Sequence, residues 1–66
     1  MEERMSLEQA MLEEAVEKKL PVRLIFTTGF QCEAIIEDYC FDVIRCRVNG
    51  KKWMVYRNGL STIVMP

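Results

Sequence analysis

The chain has 66 residues, half of them hydrophobic, with 9 basic and 10 acidic side chains, no His and a formal net charge of −1. That length allows one domain at most, expected to span residues 1–66, and a core so small is marginal unless disulfides, a metal or partner chains support it. The balance excludes a strongly basic nucleic-acid footprint, the apolar runs are too short to span a bilayer, and the acidic start "MEERMSLEQAMLEE" is unlike a signal peptide, so a cytoplasmic protein is expected.

The three cysteines, Cys32, Cys40 and Cys46, are odd in number and lack CxxC spacing. Without any His they cannot complete a four-ligand zinc site in one chain, so three reduced thiols and no cofactor are expected. Enzyme chemistry is disfavoured. There is no imidazole for proton transfer, and no Gly-rich phosphate loop. The acidic pairs Glu13-Glu14 and Glu37-Asp38 are adjacent, which in regular structure points them apart.

In chain order, Ser6 followed by Gln9 reads as a capping box opening a helix, with Glu8 near its positive end. Leu7, Ala10, Met11 and Ala15 recur at helical spacing beside Leu12, Val16 and Leu20. Lys18 and Lys19 fall in the predicted last turn, and Pro21 ends a helix of about 13 residues. Glu13, Glu14 and Glu17 load its polar face, which reads as solvated.

After Pro21 the period becomes two. "PVRLIF" sets Val22, Leu24 and Phe26 against Arg23 and Ile25, and "TTG" turns the chain at Gly29. "FQCEAIIEDY" sets Phe30, Cys32, Ala34 and Ile36 against Gln31, Glu33, Ile35 and Glu37. "DVIRCRV" sets Ile44, Cys46 and Val48 against Arg45 and Arg47. Asn49-Gly50 signals a type I′ hairpin into "KKWMVY". Asn58-Gly59 makes another tight turn before "LSTIVM" and Pro66. Arg45, Arg47, Lys51 and Lys52 flank Trp53, and read as solvated strand faces around one packed indole.

One helix followed by five short antiparallel strands predicts a mostly β domain whose sheet curls into a small, strongly bent barrel. Its two end strands leave unpaired main-chain groups, and "LSTIVM" has no charge to guard its edge. Another chain is expected to pair there. If that contact repeats head to tail and closes, a ring results.

This order and three pieces of text resemble the bacterial Sm-like proteins of the Hfq family, from Ser6 to Pro66. "SLEQAMLEEAVEKKLPVRLIF" is similar to the family's helix running through a proline into the first strand. "TTGFQCEAIIEDY" resembles its first Sm motif, with a turn glycine, Gly29, and a bent strand ending at Tyr39. "MVYRNGLSTIVMP" resembles its second, which in the family reads Tyr-Lys-His-Ala-Ile-Ser-Thr-Val-Val-Pro. Here Arg57 stands for the Lys, Asn58 for the His, and Met65 is inserted before Pro66.

The resemblance implies a homo-oligomeric ring, usually a hexamer, in which the fourth strand of one subunit pairs with the fifth of the next. It implies an RNA chaperone that brings small RNAs to messages and binds single-stranded RNA on its faces. On the helix-bearing face, Tyr56, Arg57 and Asn58 would meet uridine-rich RNA. Phe41 and Asp42 occupy its Gln-aromatic pair in reversed order, Cys40 stands for an Asp, and Glu8 for a Gln. On the opposite face, Gly29, Phe30 and Gln31 would meet adenine-rich RNA, with Glu33 near and Ile25 in place of a Tyr; Phe30 reads equally as core. Lys18 and Lys19 would form the basic rim, weakened by Glu17. Two alternatives are a ring that serves as a protein-interaction module and an unrelated SH3-like barrel that binds peptides.

Overall fold

The protein is described by a computed structural model covering residues 2–66, with side chains from Gln9 onward. Helix α1 (Glu2–Lys18) is followed by β1 (Pro21–Phe26), β2 (Gln31–Tyr39), β3 (Val43–Val48), β4 (Lys51–Tyr56), a three-residue 3-10 helix (Arg57–Gly59) and β5 (Leu60–Val64). The expected helix-then-five-strand order is present. The helix opens at Glu2, so Ser6 lies inside it and does not cap it; the Ser6, Leu7 and Glu8 side chains lie outside the described residues.

The end of α1 is set by main-chain geometry. Lys19 N–H donates to Val16 O at 3.3 Å and Leu20 N–H to Ala15 O at 3.1 Å, the paired bonds of a Schellman cap. Lys19 takes the left-handed position, φ 52°, that glycine usually fills. It therefore stands just beyond the helix, not in its last turn.

The strands form one antiparallel sheet in the order β4-β3-β2-β1-β5. Two irregularities let it curl. Ile36 faces Cys46 and Asp38 faces Arg45, leaving Glu37 as a bulge in β2. Thr62 faces Ile25 but Leu60 faces Phe26, so Ser61 is the extra residue where β5 meets β1. The Asn49-Gly50 hairpin has positive φ at both residues, 52° and 78°, as a type I′ turn requires. Asn58-Gly59 is different: both belong to the 3-10 turn, which carries the chain from one end of the sheet order to the other.

The inward positions of the period-two pattern make the core. Val22, Leu24, Ala34, Ile36, Ile44, Cys46, Val48 and Val55 are buried, and Leu12 and Ala15 cover one opening from the helix. Ala10 and Met11, expected on the packed face, are exposed, because only the stripe through Leu12 and Ala15 meets the sheet. Burial pushes the Cys46 thiol up to about 11, with Cys32 and Glu37 adding to the effect. The three cysteines are free, Cys40 being the exposed one.

Candidate nucleic-acid interface

The 3-10 turn joins the two groups of residues singled out in the sequence. Arg57 N–H donates to Asp42 O at 2.9 Å, and Thr27 N–H donates to Gly59 O at 2.9 Å. One end is thus pinned to the β2–β3 turn and the other to the β1–β2 turn. Cys40, Phe41 and Asp42 form the first of these turns, closed by Cys40 N–H to Val43 O at 2.7 Å. Gly29 and Phe30 lie at the second, closed by Gly29 N–H to Phe26 O at 2.9 Å and Phe26 N–H to Phe30 O at 2.8 Å. Gly29 has φ 97°, a conformation that disfavours any side chain there.

Around Arg57 the surface is aromatic. Phe41 is 83% exposed and Tyr56 is also exposed, with Tyr56 placed opposite Val43 in the β3–β4 ladder. Arg57 is half-buried; its Nη1 donates to Phe41 O at 3.0 Å. A hydrogen bond from a charged donor typically contributes about 1.5–3 kcal/mol when sheltered and less at a wet surface. Asn58 and Asp42 are exposed. Behind Arg57 runs a cleft of about 250 Å³, lined by Met11, Leu12, Ile44, Leu60, Ile63 and Met65 with the Ser61 and Thr62 hydroxyls. Nearby, partial burial raises the Tyr39 phenol above its usual value, as do the Glu13 charge and a hydrogen bond to Glu13; the Arg57 charge opposes this.

At the other turn, Phe30 is 54% exposed and leans on Phe26, ring centroids 5.6 Å apart and tilted by 48°. It is a braced surface ring and not barrel core. Gln31 is exposed beside it, opposite Ile25.

Outside these turns Arg45, Arg47 and Lys18 each pair with an acid. Arg47 Nε donates to the Glu37 carboxylate at 2.8 Å, and this bond leads the causes that hold the Glu37 carboxyl below its usual range. Arg45 pairs with Asp38 at 3.3 Å. Trp53 is half-buried against the core. The group around Trp53 is thus an exposed strand face, as expected, with Arg45 and Arg47 additionally paired to Asp38 and Glu37. On the rim, Lys18 sits 3.4 Å from Glu14 in an exposed i,i+4 pair, and Lys19 is exposed next to it. Such pairs contribute little to stability but halve the local positive charge. Among the described residues no cluster of Cys, Asp and Glu could hold a metal. No helix there is long and apolar enough to cross a membrane.

Sequence reasoning missed the two clasps that turn residues 57–59 into a bridge. Their partners lie 15 and 32 residues away along the chain, from Arg57 to Asp42 and from Gly59 to Thr27, and no local signal marks a main-chain hydrogen bond at that distance. The exposed Phe41 could be found as an aromatic out of register with the alternating strands.

No family model matches the chain. It is similar to an RNA-binding protein Hfq of Clostridium kluyveri, 33% identical over 58 residues, which cover 88% of this chain and 71% of that protein. A second, from Desulforamulus reducens, is 28% identical over 88% of this chain and 72% of its own. Among solved structures, a 1.55 Å crystal structure of the pleiotropic translational regulator Hfq matches with a TM-score of 0.85 and 28% identity, covering 88% of this chain and 97% of that one. One-third identity over most of both chains, on a shared helix-and-bent-sheet fold, means that this chain belongs to the Hfq family.

Proposed function

We propose that this protein is a ring-forming, Sm-like RNA-binding protein that acts as an RNA chaperone and post-transcriptional regulator. The observation that carries this reading is the paired exposure of Phe41 and Tyr56 beside Arg57, on turns tied together by main-chain bonds. Flat rings held open to solvent stack on unpaired bases, at about 1–3 kcal/mol per base. Tyr56, Arg57, Asn58 and Phe41 are assigned to uridine-rich RNA, and Gly29, Phe30 and Gln31 to adenine-rich RNA. Lys18 and Lys19 form a weak rim contact, since Glu14 and Glu17 stand beside them. Relatives of this chain carry the name RNA-binding protein Hfq, and a structural neighbour is described as a translational regulator.

Assembly follows from the edges. The chain exposes 4989 Å², more than the roughly 4,400 Å² expected of a folded monomer of 7.8 kDa. Strands β4 and β5 end the sheet with Met54 and Val64 in solvent. Pairing β4 of one copy with β5 of the next satisfies both edges at once, and a hexamer is the proposed closure. The partners are small RNAs and messenger RNA, and the location is cytoplasmic.

The test is a native-mass measurement followed by titration of labelled oligo-U and oligo-A at two salt concentrations. A ring of about six chains binding at least one oligomer supports the reading. A ring that binds neither at low salt favours a protein-interaction module instead, and a monomer at micromolar concentration removes both.

A further inference from the structure

Residues 40–42 are all exposed, so side-chain packing does little to order them. Yet the turn is held twice by one residue. Arg57 donates its main-chain N–H to Asp42 O and its Nη1 to Phe41 O, at 2.9 and 3.0 Å. One is the carbonyl of Phe41 itself and the other that of the next residue. Holding them restrains the backbone from which the Phe41 Cα–Cβ bond leaves, while the ring still turns about that bond. Arg57 also lines the cleft with Met11, Leu60 and Met65. A guanidinium suits this task because its donors lie in a rigid plane, whereas an ammonium is a mobile point charge.

We propose that Arg57 is a positioning residue: it clasps the Phe41–Asp42 turn and thereby sets the exposed Phe41 ring as a stacking platform for an RNA base. This rests on the RNA-binding reading above, and it changes what Arg57 does within it. A phosphate ligand would act by charge, independently of Phe41. A positioning residue acts through Phe41 and through the geometry of its donors. Base preference at this surface then depends on the turn's order as well as on its charge.

The experiment is a double-substitution cycle on the full chain, with native mass confirming unchanged ring size. Arg57→Met keeps a long apolar side chain beside the cleft and removes the guanidinium donor to Phe41 O, leaving the main-chain N–H bond to Asp42 O; Phe41→Ala removes the platform. Each is expected to weaken oligo-U binding by about tenfold or more, the size of one lost stacked base. The double variant is expected to bind within about twofold of the weaker single one, the mark of residues that act as one unit. The slope of log K against log salt should not change in Arg57→Met. Multiplying losses, with a slope shallower by about 0.7 per lost phosphate contact, would make Arg57 a phosphate ligand and overturn the proposal. So would full oligo-U binding by Phe41→Ala. A readout without RNA is amide exchange at Cys40, which donates within the turn: it should quicken at least tenfold in Arg57→Met. Unchanged Cys40 exchange in a ring that does bind oligo-U overturns the clasp alone. A wild-type ring that binds no RNA removes the reading beneath it as well.

Discussion

Arg57 and Glu37 each make a bond to a segment distant in the chain, to the Phe41 carbonyl and to Arg47. Arg57 serves the Phe41 turn, whereas Phe30 is held by Phe26 within its own turn and Gln31 lies opposite Ile25 in the β1–β2 ladder. Replacing Arg57 by Ala should therefore weaken oligo-U binding about tenfold or more, with oligo-A binding within about threefold of wild type. Fluorescence anisotropy with both oligomers checks this, and equal losses would show that the two faces are assigned wrongly. Glu37 protrudes at the β2 bulge, and Arg47 holds its carboxyl below the usual range. The sign follows from linkage. A depressed folded value means that the unfolded chain takes up the proton first, so the pair's contribution is present above the unfolded value of about 4.3 and fades as pH falls through and below it. Urea unfolding at pH 7 and pH 3.5 should thus show a smaller acid loss for Glu37→Gln than for wild type. Arg47 was legible only as a solvated strand residue. The bulge that brings Glu37 to it depends on how two strands align, which neither strand states alone.

At the scale of elements, the alternation of side chains placed the first three strands, where inward positions such as Leu24, Ile36 and Ile44 recur every second residue, and the turns before them placed the last two. Asn49-Gly50 was readable because its turn type demands two positive φ angles that few other residues supply. Asn58-Gly59 offered the same letters and formed a 3-10 turn. Its flanking strands are not partners: β5 pairs with β1, so no two-residue hairpin can form there. Helix α1 ends at a Schellman cap in which Lys19 occupies a left-handed site at φ 52°. A non-glycine residue there costs about 1–2 kcal/mol, offset in part by the roughly 0.5–1 kcal/mol of extra chain entropy that glycine loses on folding. Lys19→Gly should therefore stabilise the protein by about 0.5–1 kcal/mol, seen as a higher urea midpoint at unchanged slope. The same substitution removes one rim charge, so rim-dependent RNA annealing should fall or stay flat while stability rises.

For the whole molecule, the question is how a 66-residue chain covers two open sheet edges. The β4 edge mixes Lys51 and Lys52 with exposed Met54 and Tyr56, and the β5 edge is uncharged. Isolated strands with such edges tend to add further strands, and a closed ring is the one arrangement that leaves none over. Val64, 44% exposed on β5, is a direct test. Val64→Lys places a charge beside an edge that must be desolvated, and should shift native mass toward smaller species. A ring of unchanged mass and stability would mean that β5 is not the contact. Because each surface feature recurs in every subunit of a ring, the acidic helix face formed by Glu13, Glu14 and Glu17 is multiplied too. A phosphate chain on that surface would meet repeated negative charge, which opposes binding by counterion release.

The sequence by itself determined the element order, the inward face of the first three strands and the family motifs around Gly29 and Tyr56. These follow from local periods, turn chemistry and short stretches of text, which act over a few neighbouring residues. The tertiary structure alone decided that residues 57–59 bridge two turns, that Arg57 holds the Phe41 backbone, that Phe30 is a surface ring and that Glu37 bulges toward Arg47. Each of these depends on contacts between segments far apart in the chain. Their geometry is set by how the sheet curls, and no local preference encodes that curl.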